Sequence, residues 1–225
     1  MKIAVLTPCY SGSVNMAFCL SLLETIMRVK KSECVFLTNT NNSILPAARN
    51  TLVAKAMAWG ADKIVFIDDD ISWKSDDFQK LVLAPERVVA GVYAKKKQTE
   101  GQATSFAVSA LPAGFEPDHR GLVEVDGAAT GFIRIDREVF EALKSDCVKL
   151  HDDSLDADSV KHLHEWFAFA RVQREKGMML EGEDYNFCRK ARAAGFRVFV
   201  DPSIHLGHHS AGFKFGAHLP AQNIL

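Results

Sequence analysis

Two kinds of hydrophobic pattern alternate along the first half of the chain. Short continuous apolar runs are typical of strands that are buried on both faces of a sheet, and apolar residues three or four positions apart are typical of helices. The runs predict strands over residues 3–6, 34–37, 63–67 and 88–92. The helical spacing predicts helices over residues 14–29, 43–59 and 76–83. Ser13 is a candidate N-cap for the first helix, and Pro46 and Gly60 suit the start and the end of the second.

This alternation predicts an α/β fold with a mostly parallel central sheet flanked by helices. Ligands in such sheets bind beyond the carboxyl ends of the strands. The loops that follow the first three strands, residues 7–13, 38–43 and 68–73, are therefore expected to meet at one edge.

The second half of the chain is less regular. Residues 95–124 are rich in Gly, Pro and polar residues, and residues 144–161 predict either a mobile loop or a short helix. The remaining patterns predict a strand over 132–135, helices over 136–143 and 184–194, and a strand over 196–200. Since no repeat or linker is visible, we expect one domain over residues 1–225.

Composition narrows the class of protein. With 27 basic and 28 acidic residues among 225, the formal net charge is −1, so charge gives no strong signal for nucleic acid. No stretch approaches the roughly 18 apolar residues of a membrane span. The five cysteines form no Cys-x-x-Cys pair, which favours a reduced, cytoplasmic protein, or one in the host cytoplasm if a phage encodes it.

An acidic triplet, Asp68-Asp69-Asp70, follows the apolar run at 63–67 directly. Three adjacent carboxylates repel one another unless a cation neutralises them. In extended chain Asp68 and Asp70 share a face, and Mg²⁺ or Mn²⁺ is commonly held by one or two carboxylates plus substrate phosphates. The alternative is an Asp-rich turn that caps the next helix.

Two further segments carry candidate chemistry. Glu183 and Asp184 lie at a predicted helix N-terminus, where the helix dipole favours acids. Asp184 also lies on the apolar face of that helix, and a buried carboxylate with a raised pKa suits a general base.

Three histidines follow the last predicted strand, and imidazole is a common metal ligand. His208 is the first candidate, His205 the second, and His209 remains open.

In their order and spacing, these segments resemble glycosyltransferases of the GT-A fold, especially family-2-like and small phage-type enzymes. The resemblance covers nearly the whole chain. It rests on Thr7-Pro8-Cys9-Tyr10, Ala48-Arg49-Asn50, Phe66-Ile67-Asp68-Asp69-Asp70-Ile71, Gly91-Val92-Tyr93-Ala94-Lys95-Lys96, Ala129-Thr130-Gly131-Phe132, Gly182-Glu183-Asp184 to Arg189, Ala194-Gly195-Phe196, Asp201-Pro202-Ser203 and Gly207-His208. Ala94 departs from the Pro of that family, and His209-Ser210 departs from its usual ending, which leaves open which histidine binds.

The resemblance implies a single GT-A domain, a nucleotide-sugar donor linked to UDP or GDP, and Mn²⁺ or Mg²⁺ as cofactor. It implies Asp70 and His208 as metal ligands, Asp68 as a ribose contact or a metal contact through water, and Asp184 as the base with Glu183 beside it. The donor would lie against Thr7, Pro8, Cys9, Tyr10, Arg49, Asn50, Asp68, Asp69, Lys95, Thr130 and Gly131. Lys96 and Lys97 are alternatives to Lys95, and the whole lysine run fits a solvated surface equally well.

The sequence thus predicts a metal-dependent glycosyltransferase, with inversion only weakly favoured. The alternatives are a non-catalytic nucleotide-sugar-binding module and a sugar-phosphate nucleotidyltransferase. The second needs a Gly-rich basic loop after the first strand, and residues 7–13 contain one Gly and no Lys or Arg. A dinucleotide oxidoreductase would need a Gly-x-Gly-x-x-Gly stretch that this chain lacks. Neither the acceptor nor the oligomeric state can be read from the sequence, and Trp166 and Phe167 fit either a sugar-stacking platform or the core.

Overall fold

The computed structural model describes residues 1–28, 33–40, 42–96, 105–109, 116–210 and 213–215. Val29 and Lys97, which belong to patterns discussed above, lie outside these residues. No helix within the described ranges combines the length and the apolar character that crossing a membrane requires.

The first half of the chain alternates strand and helix as its pattern predicts. Its elements are β1 (Ile3–Cys9), α1 (Met16–Arg28), β2 (Cys34–Thr40), α2 (Leu45–Trp59), β3 (Lys63–Ile67), β4 (Ile71–Ser72), α3 (Ser75–Leu83) and β5 (Val88–Gly91). Helix α2 has Pro46 in its first turn and ends at Gly60, whose φ of 81° is left-handed and suits glycine.

The second half is built from shorter elements. They are β6 (Val108–Ser109), β7 (Val123–Val125), β8 (Gly127–Ala128), β9 (Phe132–Asp136), α4 (Arg137–Leu143), a 3₁₀ turn (Lys144–Asp146), α5 (Ala157–Lys161), β10 (Ala170–Arg174), β11 (Gly177–Glu181), α6 (Glu183–Ala193), β12 (Val198–Asp201), β13 (Gly207–Ser210) and β14 (Phe213–Phe215). The acidic segment at 144–161 therefore contains a short helix, which was one of its two predicted forms.

A seven-stranded sheet in the described chain has the order β2-β1-β3-β9-β5-β12-β7. Strands β2, β1, β3, β5 and β12 run in one direction, because the β1–β2, β1–β3 and β5–β12 pairs are parallel and β9 is antiparallel to both β3 and β5. Strand β7 is also reversed, against β12. The sheet is thus mixed but mostly parallel, flanked by helices as predicted.

The two faces of this sheet bury separate apolar clusters. Alternate residues of each strand point to opposite faces. Phe66 packs in one cluster with Phe140 and Phe187, whereas its neighbour Val65 packs in the other with Phe199. Both Trp166 and Phe167 belong to the core, with exposed fractions of 1% and 0%. Of their two predicted roles, core packing is therefore the one observed.

The beginning of α1 differs from its prediction. The helix starts at Met16, and the Asn15 side chain, rather than that of Ser13, accepts a hydrogen bond from the Ala17 amide at 2.9 Å. Its buried face is partly polar, since the Ser21 and Thr25 hydroxyls accept hydrogen bonds from the main-chain and indole N–H groups of Trp73 at 3.0 and 2.9 Å. The apolar spacing of α1 could not predict that Ser21 and Thr25 are buried, because their burial depends on hydrogen bonds with Trp73, which is distant in sequence.

A small three-stranded sheet connects the end of the chain to the acidic triplet. Its order is β14-β13-β4, and the register pairs His208 with Ile71. The His209 amide also donates to the Asp70 carbonyl at 2.9 Å. These backbone bonds hold the segment that contains His208 and His209 beside the acidic triplet.

Candidate functional site

An open cleft of about 590 Å³ lies beyond the carboxyl ends of β1, β2 and β3. The three loops predicted to meet there all contribute to its lining. The lining residues are Pro8, Tyr10, Asn42, Ser43, Leu45, Arg49, Asp68, Asp69, Asp70, Tyr93 and His208. Binding clefts for small ligands commonly have volumes of about 300–1,000 Å³, so this one has room for a nucleotide-sized molecule.

The acidic triplet forms a tight turn at the floor of the cleft. The Asp68 amide donates to the Gly131 carbonyl at 3.0 Å, and the Ile71 amide donates back to the Asp68 carbonyl at 3.1 Å. These bonds fix the backbone that presents the three carboxylates. Burial raises the pKa of Asp69, the nearby Cys9 thiol lowers it, and the charges of Asp70 and Asp68 raise it further, so the net shift is upward.

Asp70 and His208 form a pair suited to a divalent cation. His208 Nδ1 lies 2.7 Å from the Ala94 carbonyl oxygen and so must donate its proton there. In the neutral ring, Nε2 then carries a lone pair, and it lies 3.7 Å from Asp70 Oδ1. That carboxylate oxygen is buried and has no hydrogen-bond partner among the residues that the structure describes. Since two ligand bonds of about 2.1 Å each span about 4.2 Å, one cation can contact both atoms.

No group of three or more His, Cys, Asp or Glu side chains suited to a metal occurs in the described part of the chain. Two protein ligands suit Mg²⁺ or Mn²⁺, whose coordination water and phosphate oxygens can complete, better than they suit a structural zinc ion, which needs four protein ligands.

Lys96 forms an ion pair with the other oxygen of Asp70. The predicted donor contact Lys95 is exposed, and its amide bonds the Ser105 carbonyl at 2.8 Å.

The other two histidines have different surroundings. His209 Nε2 lies 2.8 Å from the Ser72 hydroxyl, and His205 is exposed. Among the three candidates, His208 is therefore the one that the structure brings to Asp70.

Arg49 connects the acidic turn with the beginning of α6. Its side chain is 3% exposed, and it forms ion pairs with Asp68 at 3.2 Å and with Glu183 at 3.3 Å. Burial lowers the pKa of Arg49, but Asp68, Glu183 and Asp184 together raise it, so the net shift is upward and the guanidinium stays charged. Its Nη1 atom is buried, and no hydrogen-bond partner for it occurs in the described part of the chain.

Asp184 has the strongest case as a proton acceptor. Burial raises the pKa of Asp184 to about 6, and the adjacent Glu183 charge raises it as well. Arg49 and a hydrogen bond from the Tyr185 amide, at 2.8 Å, lower it in part. A carboxyl with a pKa near 6 is mostly ionised at neutral pH and still basic enough to take a proton.

Tyr93 is a cleft residue that the sequence prediction did not include among the donor contacts. Its hydroxyl accepts a hydrogen bond from the Gly131 amide at 3.2 Å, and its ring packs edge-on against His208, with centroids 5.0 Å apart. A Cβ added to Gly131 would lie 2.2 Å from the Tyr93 hydroxyl, so only glycine fits there. Burial and Asp68 raise the pKa of Tyr93 well above its ordinary value. The Gly-x-Tyr segment singled out Tyr93 in the sequence, but it could not show that Tyr93 contacts Gly131.

The small residues predicted around the donor are buried. Thr7 and Thr130 each bury a hydroxyl without a hydrogen-bond partner, and Cys9 donates from its thiol to the Ser13 carbonyl at 3.2 Å. Burial, and then Asp69, raises the pKa of the Cys9 thiol, so it stays protonated. Tyr10 is 65% exposed at the edge of the cleft, where a planar ligand can reach it.

Asn50 has a different environment from its neighbour Arg49. Its side-chain amide donates to the Phe167 carbonyl at 2.9 Å and accepts from the Phe167 amide at 2.8 Å. Both polar ends are thus used within the protein core, and Asn50 is not part of the cleft lining.

Comparison with known proteins supports the fold. No protein-family model matches the chain, and no curated protein matches it. Among solved structures, A197 from STIV is similar at 18% identity and a TM-score of 0.56, over 100% of this chain and 98% of that one. The structure of GalNAc-T7 with UDP, GalNAc and Mn²⁺ gives 12% identity and a TM-score of 0.49, over 92% of this chain and 44% of that one. At such identities the likeness shows the fold alone, and the predicted α/β class is confirmed.

Proposed function

We propose that this protein is a glycosyltransferase that moves a sugar from a nucleotide diphosphate, UDP or GDP, to an acceptor hydroxyl. The observation that carries the proposal is the pair formed by Asp70 and His208. Asp70 Oδ1 is buried and has no hydrogen-bond partner among the described residues, it lies 3.7 Å from His208 Nε2, and both residues line a nucleotide-sized cleft.

A divalent cation bound by Asp70 and His208 would neutralise the charge that develops on the departing diphosphate. The residues present suit this role, since Mn²⁺ and Mg²⁺ accept oxygen and imidazole ligands and use phosphate oxygens to complete their coordination. Lys96 supplies a second positive charge next to Asp70. Asp68 lies at the same floor, where the ribose of a bound donor would be within reach.

On the acceptor side, Asp184 would remove the proton of the acceptor hydroxyl as that oxygen attacks the anomeric carbon. The bond to the diphosphate breaks in the same step, and the proton remains on the Asp184 carboxyl until it is released to water. In-line attack with inversion would require Asp184 to lie on the side of the sugar opposite the diphosphate, and the anomeric proton of the product, observed by NMR, tests this point.

The competing functions differ in what they release. A nucleotidyltransferase would release inorganic pyrophosphate from a nucleoside triphosphate, and residues 7–13, at the end of β1 and in the loop after it, include no Lys or Arg to hold that triphosphate. A non-catalytic module would bind donor and cation without releasing nucleoside diphosphate.

A thermal-shift screen of nucleotide sugars with and without Mn²⁺ tests the proposal, because a ligand that binds the folded state raises its apparent stability. We expect at least one UDP- or GDP-sugar to raise the melting temperature only with Mn²⁺. Incubation of that donor with the protein and candidate acceptors should then release nucleoside diphosphate. If no nucleotide sugar stabilises the protein in the presence of Mn²⁺, the proposal fails.

A further inference from the structure

Arg49 is a single buried cation shared by two acids from different parts of the chain. Its Nη2 bonds Asp68 at 3.2 Å, on the donor side of the cleft, and its Nε bonds Glu183 at 3.3 Å, in the first turn of α6. The guanidinium also lies over the ring of Phe66, 5.3 Å from its centroid. With a side chain 3% exposed, Arg49 has little freedom to leave this position.

We propose that Arg49 is a positioning residue whose two ion pairs fix the beginning of α6 against the acidic turn and direct the Glu183 carboxylate at the guanidinium, so that Asp184 alone is left to exchange a proton. This inference rests on the proposed function, in which Asp184 is the base. It gives the two adjacent acids different roles, and it assigns to Glu183 a structural and electrostatic role instead of a share in proton transfer.

The different contacts of the two carboxyls support this division. Glu183 is 7% exposed, and its carboxylate forms a charge-assisted ion pair with the Arg49 guanidinium at 3.3 Å. Asp184 has no ion pair within the described residues, and its Oδ1 accepts only the amide hydrogen of Tyr185. The fixed negative charge of Glu183 therefore favours the neutral form of Asp184 and makes its carboxylate more basic.

Several charged or titratable groups act on Asp184. Glu183 and Tyr185 belong to its own helix, as does Cys188, whose thiol senses the charge of Asp184. Arg49 reaches it from α2, Asp68 from the turn after β3, and Tyr93 from the segment after β5. Among the acids, the charge of Glu183 is the larger influence, so the variant that removes it should change Asp184 most.

The test is a ¹³C NMR titration of the Asp184 carboxyl in the ligand-free protein labelled with ¹³C-aspartate, with Asp184→Asn used for assignment. The wild-type midpoint is expected near pH 6. Glu183→Gln keeps an oxygen that can accept from Arg49 but removes the charge, and it should lower the midpoint by roughly one pH unit. An unchanged or raised midpoint in Glu183→Gln overturns the proposal.

Glu181→Gln is the matched control. Glu181 is equally buried, at 7% exposed, and forms ion pairs with Arg189 and Arg174, but it has no contact with Arg49. The Asp184 midpoint should stay at its wild-type value in this variant. An equal fall in both variants would mean that any nearby acid has the same effect, which also contradicts the proposal.

Arg49→Lys is a second variant that stays informative if Glu183→Gln fails to fold. Lysine keeps the charge but lacks the fork that bonds both acids. The protection of the Tyr185 and Asn186 amides against hydrogen exchange should fall severalfold in Arg49→Lys and stay unchanged in Arg197→Lys, whose arginine pairs with the exposed Glu124. Full protection in Arg49→Lys would refute the positioning role.

These readouts need no donor or acceptor, so they remain valid even if no transfer is detected. If Glu183→Gln shifts the midpoint but the protein transfers no sugar, the electrostatic inference holds and the proposed function fails. If the protein transfers sugar but the Asp184 midpoint does not move in Glu183→Gln, the proposed function holds and the electrostatic inference fails.

Discussion

At the scale of single residues, the site depends on groups that are unfavourable where they lie. Asp184 is a largely buried carboxyl beside another acid, and Asp70 Oδ1 is buried without a hydrogen-bond partner. A buried polar atom without a partner costs free energy unless a ligand satisfies it. Such costs are typical of sites that are completed by a bound molecule.

Replacing Asp184 with asparagine tests its role as a base. Without a proton acceptor, the transfer rate should fall by about 10²–10⁴-fold while donor binding is retained. In the wild type, transfer should decline as the pH falls through about 6, since the pKa of Asp184 is about 6 and only its ionised form accepts a proton. Steady-state kinetics between pH 5 and 8 check both points, and an Asp184→Asn enzyme with wild-type rates would contradict the assignment.

The raised pKa of Asp184 also affects stability. The pKa lies at about 6 in the folded protein and near 3.8 in the unfolded chain, so the folded state holds this proton more tightly. Stability from this group is therefore lost as the pH rises from about 4 to about 6, by on the order of 2–3 kcal/mol.

Asp184→Asn should then be more stable than wild type at pH 8 and should lose that advantage near pH 4. Asparagine keeps an oxygen that can accept the Tyr185 amide hydrogen but never acquires the charge. Urea unfolding of both proteins at the two pH values measures the difference, and an advantage that does not depend on pH would count against a raised pKa.

Gly131 should not tolerate a side chain. Its added Cβ would lie 2.2 Å from the Tyr93 hydroxyl and 2.6 Å from the adjacent ring carbon, so Gly131→Ala must displace the Tyr93 ring. Overpacking of this kind typically costs about 1–3 kcal/mol. Thermal unfolding checks the loss of stability, and the double variant with Tyr93→Phe should recover only part of it because the ring carbon still clashes.

At the scale of elements, α2 has two separate functions. Arg49 faces the cleft, whereas Asn50 fastens the helix to the segment before β10 through both main-chain polar groups of Phe167. The resemblance to glycosyltransferases suggested that both residues lie around the nucleotide. The local sequence could not separate them, because the partner of Asn50 lies 117 residues further along the chain.

Asn50→Ala should therefore weaken folding without weakening donor binding. It leaves the buried amide and carbonyl of Phe167 without partners, which should cost about 1–3 kcal/mol for each group. Urea denaturation and calorimetric donor titration, performed on the same variant below its melting temperature, separate the two effects. A loss of donor affinity with unchanged stability would instead support a nucleotide contact.

Periodicity predicted the elements of the first half within a few residues, because their apolar runs are continuous and their helix ends contain Pro46 and Gly60. It did not predict that β9 enters the sheet between β3 and β5 in the reverse direction. A short apolar run contains no information about its direction. Strands of two or three residues, such as β4, are too short to show a period at all.

At the scale of the whole molecule, the chain order of the elements explains the position of the site. Strands β1, β2 and β3 bring their loops to one edge, and the β13–β4 pairing then brings His208 back from the end of the chain. Sequence motifs supplied the acidic triplet, the histidines and Asp184 as candidates, and their catalytic and metal-binding roles stay predictions. The ion pairs of Arg49 and the Lys96–Asp70 contact depend on this long-range arrangement and could not be read locally.

The proposed function depends most directly on the Asp70–His208 pair, and isothermal calorimetry of UDP and GDP binding with and without Mn²⁺ tests that pair. Wild type should bind one of these diphosphates only when Mn²⁺ is present, and Asp70→Ala and His208→Ala should each abolish that binding. His209→Ala, which changes the neighbouring histidine bonded to Ser72, should retain it. Mn²⁺-dependent binding that persists unchanged in Asp70→Ala and His208→Ala would contradict the account.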